Sequence, residues 1–132
     1  MTLWKDTLLI GIPQIDDQHK KLISTIDDII DACKRGEWRA NIGKTLDFLI
    51  SYTKEHFKDE EKVQEQHNYP GLAAHKQLHE DFIAEVATFK KEFEESGSNI
   101  VLVAKINKTL VDWLVKHITA EDKKIGEHVK SL

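Results

Sequence analysis

Cysteine, proline and long hydrophobic runs are all scarce in this sequence of 132 residues. A single cysteine, Cys33, excludes an intramolecular disulfide and any metal site built from several thiolates. The longest apolar run near the start, residues 8–12, is far too short for a membrane span or the core of a signal peptide. The net charge is −4 and charges of both signs are interspersed, which argues against a nucleic-acid-binding surface. We therefore expect one cytoplasmic domain spanning residues 1–132.

Apolar residues recur at helical spacing along most of the chain. Turn-forming residues at 36, 67–71 and 96–99 divide this pattern into four amphipathic stretches. In chain order we predict an extended arm, four helices and a short tail: 1–16, then about 17–35, 40–66, 71–95 and 99–118, then 119–132. Four such helices with short connections predict an all-α fold, an antiparallel up-down-up-down four-helix bundle with an extended N-terminal arm.

Six polar residues fall on the inward faces of these helices, near one end of the predicted bundle. In such a bundle the first and third helices start at the end where the second and fourth finish. The six residues are His19, His56, Glu60, His75, His79 and His117. Five imidazoles and a carboxylate buried together would carry a large desolvation cost unless a metal ion accepted their lone pairs. The sequence therefore predicts a metal site.

Asp122 follows His117 by five residues, which is about 140° around an ideal α-helix. It can join the site only if the helix loosens or ends after His117. Any single histidine of the set, taken alone, is more often a hydrogen-bonded packing residue than a ligand. The metal prediction depends on the whole set.

Five imidazoles and two carboxylates are too many donors for one ion and suit two. Mixed nitrogen and oxygen donors argue against calcium and magnesium, whereas iron, manganese, zinc and copper all remain open. We interpret His67 and His128 as non-ligands. The charged run at residues 58–62, apart from Glu60, is expected to face solvent.

The combined pattern resembles the ligand signature of the hemerythrin family in order and spacing. The matching residues are His19, His56-x-x-x-Glu60, His75-x-x-x-His79 and His117-x-x-x-x-Asp122. The segment from Gly11 to His19 also looks like the one that precedes the first ligand in bacterial hemerythrins. The resemblance covers nearly the whole chain and implies a non-haem di-iron centre that binds O2 reversibly.

The resemblance also implies how two Fe ions share the ligands. One iron would be held by three imidazoles and the other by two, with two carboxylates and an oxo or hydroxo group as bridges. The three imidazoles would be those of His75, His79 and His117, and the two would be those of His19 and His56. The bridging carboxylates would be Glu60 and Asp122. O2 would bind at the two-histidine iron.

Five apolar residues within one turn of the ligands would line an O2 pocket: Leu22, Phe57, Trp113, Leu114 and Ile118. Each is equally explained by core packing. The sequence contains no Glu-x-x-His pair of the kind found in ferritin-like di-iron sites. A ligand set richer in imidazole than in carboxylate is less electron-donating, so we expect O2 to be held rather than cleaved.

The favoured function is therefore an O2-binding protein, not an enzyme, for storage, delivery or scavenging. The alternatives are a di-iron oxidase, peroxidase or nitric-oxide-handling enzyme, an O2 or redox sensor module, and a structural zinc bundle. We expect O2 as the partner, with no nucleic acid and no membrane span. The sequence specifies neither a protein partner nor an oligomeric state, and it is compatible with a monomer.

Overall fold

The computed structural model describes residues 4–36, 38–96 and 100–132, and all regular secondary structure in these ranges is helical. The long helices are α1 (Pro13–Lys34), α2 (Trp38–Gln66), α3 (Leu72–Ser96) and α4 (Ile100–His117). A 3₁₀ helix, Asp6–Leu8, precedes them, and a π-helical turn, Ile118–Asp122, leads into a final short helix, α5 (Lys123–Lys130). Residues 97–99, in the predicted break before α4, lie outside the described ranges.

The four long helices pack as the predicted bundle. Helices α1 and α3 each contact both α2 and α4, and the side chains between them form one apolar core. Leu22, Leu46, Ile106 and Leu110 are among its fully buried members. The described helices include none that is long and apolar enough to cross a membrane. The all-α four-helix bundle is confirmed.

The N-terminal arm is shorter than expected, because α1 begins at Pro13 rather than at residue 17. Proline is favoured at the first helical position, since its fixed φ suits a helix and its missing N–H is not needed there. Asp16 does not cap the helix: its carboxylate accepts the backbone N–H groups of Ile10 (2.8 Å) and Gly11 (3.2 Å). The carboxylate therefore ties the arm to the first turn of α1.

The C-terminal segment 119–132, expected to be a short tail, is mostly helical and carries the docking surface for the arm. Ile125 and Gly126 in α5 are buried. A Cβ atom at position 126 would collide with the carbonyl oxygen of Ile10. Leu8 and Ile10 pack with Ile118 in a second apolar cluster. The arm and α5 thus close the end of the bundle to which the π-helical turn belongs.

The contact between the arm and α5 requires glycine at position 126. Gly126→Ala should lower the free energy of unfolding by about 1–3 kcal/mol, as overpacking against backbone does. Gly43→Ala in α2 is the matched control, because the nearest atom to its added Cβ is 4.0 Å away on Phe93. Alanine there should stabilise the helix by roughly 0.5–1 kcal/mol. Urea denaturation of both metal-free variants measures the difference, and equal stabilities would contradict this account of the docking.

Candidate metal centre

Seven buried side chains that could bind metal converge at one end of the bundle. They are His19, His56, Glu60, His75, His79, His117 and Asp122, each 5% exposed or less. These are the seven positions that the sequence pattern singled out. Residues early in α1 and α3 meet residues late in α2 and α4, as an antiparallel bundle requires.

The π-helical turn after α4 brings Asp122 to this cluster. In a π-helix the backbone hydrogen bonds span five residues rather than four, so the turn is wider and a residue five positions on lies closer to the same face than it does in an α-helix. The backbone N–H of Lys123 bonds to the carbonyl of Ile118, five positions earlier. Asp122 Oδ1 consequently lies 3.1 Å from His117 Nε2. Asp122 could join the site only if the helix loosened or ended after His117. The helix loosens into the π-helical turn and does not end, because α5 continues from Asp122.

Glu60 lies between two groups of histidines, with one carboxylate oxygen toward each. Its Oε1 is 2.7 Å from His75 Nε2 and 3.1 Å from His79 Nε2. Its Oε2 is 3.2 Å from His56 Nε2 and 3.5 Å from His19 Nε2. The carboxylate therefore spans both groups.

Asp122 has the same two-sided arrangement. Its Oδ1 is 3.0 Å from His75 Nε2 and 3.1 Å from His117 Nε2, and its Oδ2 is 3.0 Å from His19 Nε2. The candidate donors form two overlapping groups, and the donor atoms within each lie no more than 4.8 Å apart. One group consists of Glu60, His75, His79, His117 and Asp122. The other consists of His19, His56 and Glu60.

The donor set fits two cations. In the three-histidine group, His117 Nε2 is 3.1 Å from His75 Nε2 and 3.2 Å from His79 Nε2, so three ring nitrogens crowd around one point. Glu60 Oε2, both oxygens of Asp122 and both ring nitrogens of His19 have no well-aligned hydrogen-bond partner among the described residues, although both carboxylates lie within 3.5 Å of His19 Nε2. Buried polar atoms are rarely left so. One cation in each group would accept these lone pairs and offset the desolvation of two carboxylates.

In the metal-free cluster, the pKa values favour protonated imidazoles beside ionised carboxylates. Burial lowers the pKa of His19 and of His75, but the adjacent carboxylates of Asp122 and Glu60 outweigh it and raise both pKa values to about 9. Burial likewise raises the pKa of Glu60, but the four surrounding imidazoles hold it well below its ordinary value. Asp122 is held low in the same way, against burial and the charge of Glu60. In the absence of metal, protons on His19 and His75 supply the positive charge that metal ions would otherwise supply.

The five predicted O2-pocket residues are divided between the two apolar clusters. Leu22, Phe57 and Leu114 belong to the main core, and Trp113 packs against it, whereas Ile118 lies in the cluster beneath the arm. Two of the rings stack on candidate ligands: Phe57 on His79, with ring centres 3.7 Å apart, and Trp113 on His117 at 4.3 Å. A cavity of about 240 Å³ opens beside Trp113 and reaches His117.

The expectation that the charged run at 58–62 faces solvent, apart from Glu60, is incomplete for two residues, which are partly exposed but also make hydrogen bonds to other helices. Glu61 accepts a hydrogen bond from His79 Nδ1 (2.9 Å), and Asp59 accepts one from the side chain of Gln18 (2.8 Å). Gln18 in turn contacts His56 Nδ1 at 2.7 Å. In a run of charged residues, no periodicity distinguishes the side chains that make such contacts from those that face solvent. Only the positions of the neighbouring helices reveal the contacts.

Two further histidines, His67 and His128, belong to neither donor group. His67 Nδ1 donates to the carbonyl of Val63 (2.8 Å), and His128 Nε2 donates to the carbonyl of His67 (2.7 Å). The His67 ring therefore bonds within the end of α2, and the His128 ring holds α5 to the turn that follows α2. This placement agrees with their interpretation as non-ligands.

The pKa values of about 9 for His19 and His75 predict how the metal-free protein responds to alkali. Because histidine in the unfolded chain titrates near 6.5, the stability that these two protonated rings contribute is complete below pH 6.5 and is lost as the pH rises through 9. The melting temperature of the metal-free protein should fall across this window. Metal affinity should instead increase over the same pH range, since protons compete with the metal for the same nitrogens. A metal-free melting temperature that rises from pH 6.5 to 9 would contradict the assignment.

Glu60 is the residue whose loss should affect both donor groups at once. Glu60→Gln removes the shared negative charge and replaces one oxygen donor by an amide N–H₂, so the chain should retain fewer than two irons. Iron per chain, counted after anaerobic Fe(II) loading and desalting, measures this. Glu55→Gln, an exposed change on the same helix, is the control and should retain the unmodified amount. Two irons retained by Glu60→Gln would show that Glu60 does not bridge.

Comparison with known proteins agrees with this geometry. Residues 10–129 match the model of the hemerythrin HHE cation binding domain. A bacteriohemerythrin of Stenotrophomonas maltophilia is 34% identical over 131 residues, which cover 99% of this chain and 83% of that protein. The myohemerythrin of Theromyzon tessulatum is 30% identical over 121 residues, covering 92% and 88% of the two chains. A crystal structure of wild-type hemerythrin superimposes with a TM-score of 0.80 at 31% identity, covering 98% of both chains. By sequence and by fold, this chain belongs to the hemerythrin family.

Proposed function

We propose that this protein binds O2 reversibly at a non-haem di-iron centre and acts as a carrier for storage, delivery or scavenging rather than as an enzyme. The observation that carries the proposal is that Glu60 and Asp122 each present one oxygen to each histidine group. Carboxylates placed in this way can bridge two ions. Two ferrous ions bound there would supply the electrons and the open coordination position that O2 binding needs.

In this proposal the two positions have unequal ligand sets. His75, His79 and His117 hold one iron, and His19 and His56 hold the other. The two carboxylates serve both. The position with two histidines has one protein donor fewer, so it is the position left open for O2.

The protein surrounds the proposed di-iron site with apolar side chains. Leu22, Phe57 and Leu114 are buried within one helical turn of His19, His56 and His117. Such walls exclude water, which otherwise helps charged oxygen species to form and leave. The same walls let a small neutral molecule enter and leave by side-chain motion.

The balance of donors supports a carrier. Five neutral imidazoles and two carboxylates donate less electron density than a site dominated by carboxylates. Ferritin-like di-iron sites have four glutamates and two histidines. A less electron-rich centre favours keeping the O–O bond intact, so the same O2 molecule can be released.

Anaerobic loading with Fe(II) tests the proposal directly. We expect two irons per chain and a visible absorption band that forms under O2 and disappears under vacuum through repeated cycles. Protein loaded with Zn(II) is the control and should show no O2-dependent band. A single irreversible oxidation would favour an oxidase, a peroxidase or a redox sensor, and failure to hold two irons would reject the di-iron centre.

The apolar wall predicts how fast the O2-bound form decays. Leu114→Asn should leave two irons in place and speed autoxidation, because the polar amide admits and orders water beside the site. Leu46→Asn is the matched control: it is equally buried but about 15 Å from His56 along α2, taking 1.5 Å per residue. The decay of the O2-dependent band, normalised to bound iron, measures both rates. Similar decay for Leu114→Asn and the unmodified protein would remove this residue from the pocket.

A further inference from the structure

Three consecutive acidic residues on α2, Asp59, Glu60 and Glu61, have separate contacts. Glu60 is fully buried between the two histidine groups. Glu61 and Asp59 flank it and are partly exposed. Each flanking residue is linked to a histidine of a different group, Glu61 directly and Asp59 through Gln18.

The contact with Glu61 determines which nitrogen of His79 carries the proton. A carboxylate only accepts hydrogen bonds, so at 2.9 Å the Nδ1 of His79 must be the donor. In a neutral imidazole the other nitrogen, Nε2, then carries a lone pair. This Nε2 lies among Glu60 Oε1 and the other two imidazoles of its group. The lone pair is therefore directed to the point at which a metal ion would bind.

On the other side of Glu60 the same result is reached in two steps. Asp59 also only accepts, so the amide nitrogen of Gln18 must face it, at 2.8 Å. The amide oxygen of Gln18 then faces His56, and Nδ1 of His56 donates to it at 2.7 Å. His56 Nε2 is left with its lone pair toward Glu60 Oε2, 3.2 Å away. Asp59 thus sets the orientation of the Gln18 amide, and the amide sets the His56 ring.

We propose that Glu61, and Asp59 acting through Gln18, are positioning residues that fix the ring tautomers of His79 and His56, one in each metal position. The proposal rests on the ligand assignment made above. The two groups that accept these hydrogen bonds also differ in charge. His79 donates to a carboxylate, which makes its Nε2 a stronger donor, whereas His56 donates to a neutral amide. The three-histidine position therefore receives the more strongly donating of the two rings.

The test uses the full chain loaded with Zn(II), which is diamagnetic and suits imidazole and carboxylate donors. Proton–nitrogen correlation spectra of protein with ¹⁵N-labelled histidine report which ring nitrogen holds the proton and how fast that proton exchanges. Zn(II) titration reports the affinity of each of the two positions. Glu61→Ala and Asp59→Ala are the main variants, and Glu55→Ala, which removes an exposed acid beside His56, is the matched control.

In the unmodified protein we expect slowly exchanging Nδ1–H signals from both His56 and His79. Glu61→Ala should abolish slow exchange at His79 alone, and Asp59→Ala at His56 alone. Each should weaken one of the two positions by roughly 10- to 100-fold, as loss of a partner behind a ligand does. Glu61→Gln should restore the His79 signal, because its amide oxygen can accept the same hydrogen bond. Glu55→Ala should leave both signals and both affinities unchanged.

The inference is overturned if the alanine variants keep both protected signals and both affinities, or if each variant disturbs both rings equally. Failure of Glu61→Gln to restore the signal of His79 would also contradict it, and this variant remains informative if the alanine variants fold poorly. Failure of the proposed function gives a different result. In that case the unmodified protein would not take up two Zn(II), or it would take them up with both rings protected and still show no reversible O2 response after iron loading.

Discussion

The organisation of this molecule depends on one constraint: the carboxylate of Glu60 is completely removed from solvent. An isolated carboxylate in that position would be strongly destabilising, so positive charge must be brought to it. Four imidazoles from α1, α2 and α3 lie within 3.5 Å of its oxygens. In the metal-free protein protons supply that charge, and in the proposed functional state two iron ions do. The cluster is therefore costly for the apo fold and well suited to binding metal.

The rest of the fold positions donors around that carboxylate. Antiparallel packing brings the starts of α1 and α3 to the ends of α2 and α4. The π-helical turn then adds Asp122, whose carboxylate contacts histidines of both groups just as that of Glu60 does. The arm and α5 cover this end through Asp16, Ile10 and Gly126. The main apolar core occupies the rest of the bundle and meets the cluster where Phe57 stacks on His79 and Trp113 on His117.

Most of this arrangement could be predicted from the sequence, because helical periodicity and helix direction determine which residues share a face and an end. His19, His56, Glu60, His75, His79 and His117 follow from those two rules. Asp122 could only be predicted conditionally, since its place depends on a π-helical turn that has no strong sequence signal. The early start of α1 has a signal in the sequence, because proline is favoured at the first helical position, whereas the contacts of Asp59 and Glu61 could not be predicted. These contacts depend on hydrogen bonds between distant segments, Asp59 with Gln18 of α1 and Glu61 with His79 of α3, and periodicity within one helix carries no information about them.

The most direct test of the central claim is anomalous diffraction at the iron absorption edge, from crystals of protein loaded anaerobically with Fe(II). The account predicts two peaks per chain, one among His75, His79 and His117 and the other between His19 and His56. Glu60 and Asp122 should contact both peaks. A single peak, or a second peak outside these two groups of histidines, would contradict it.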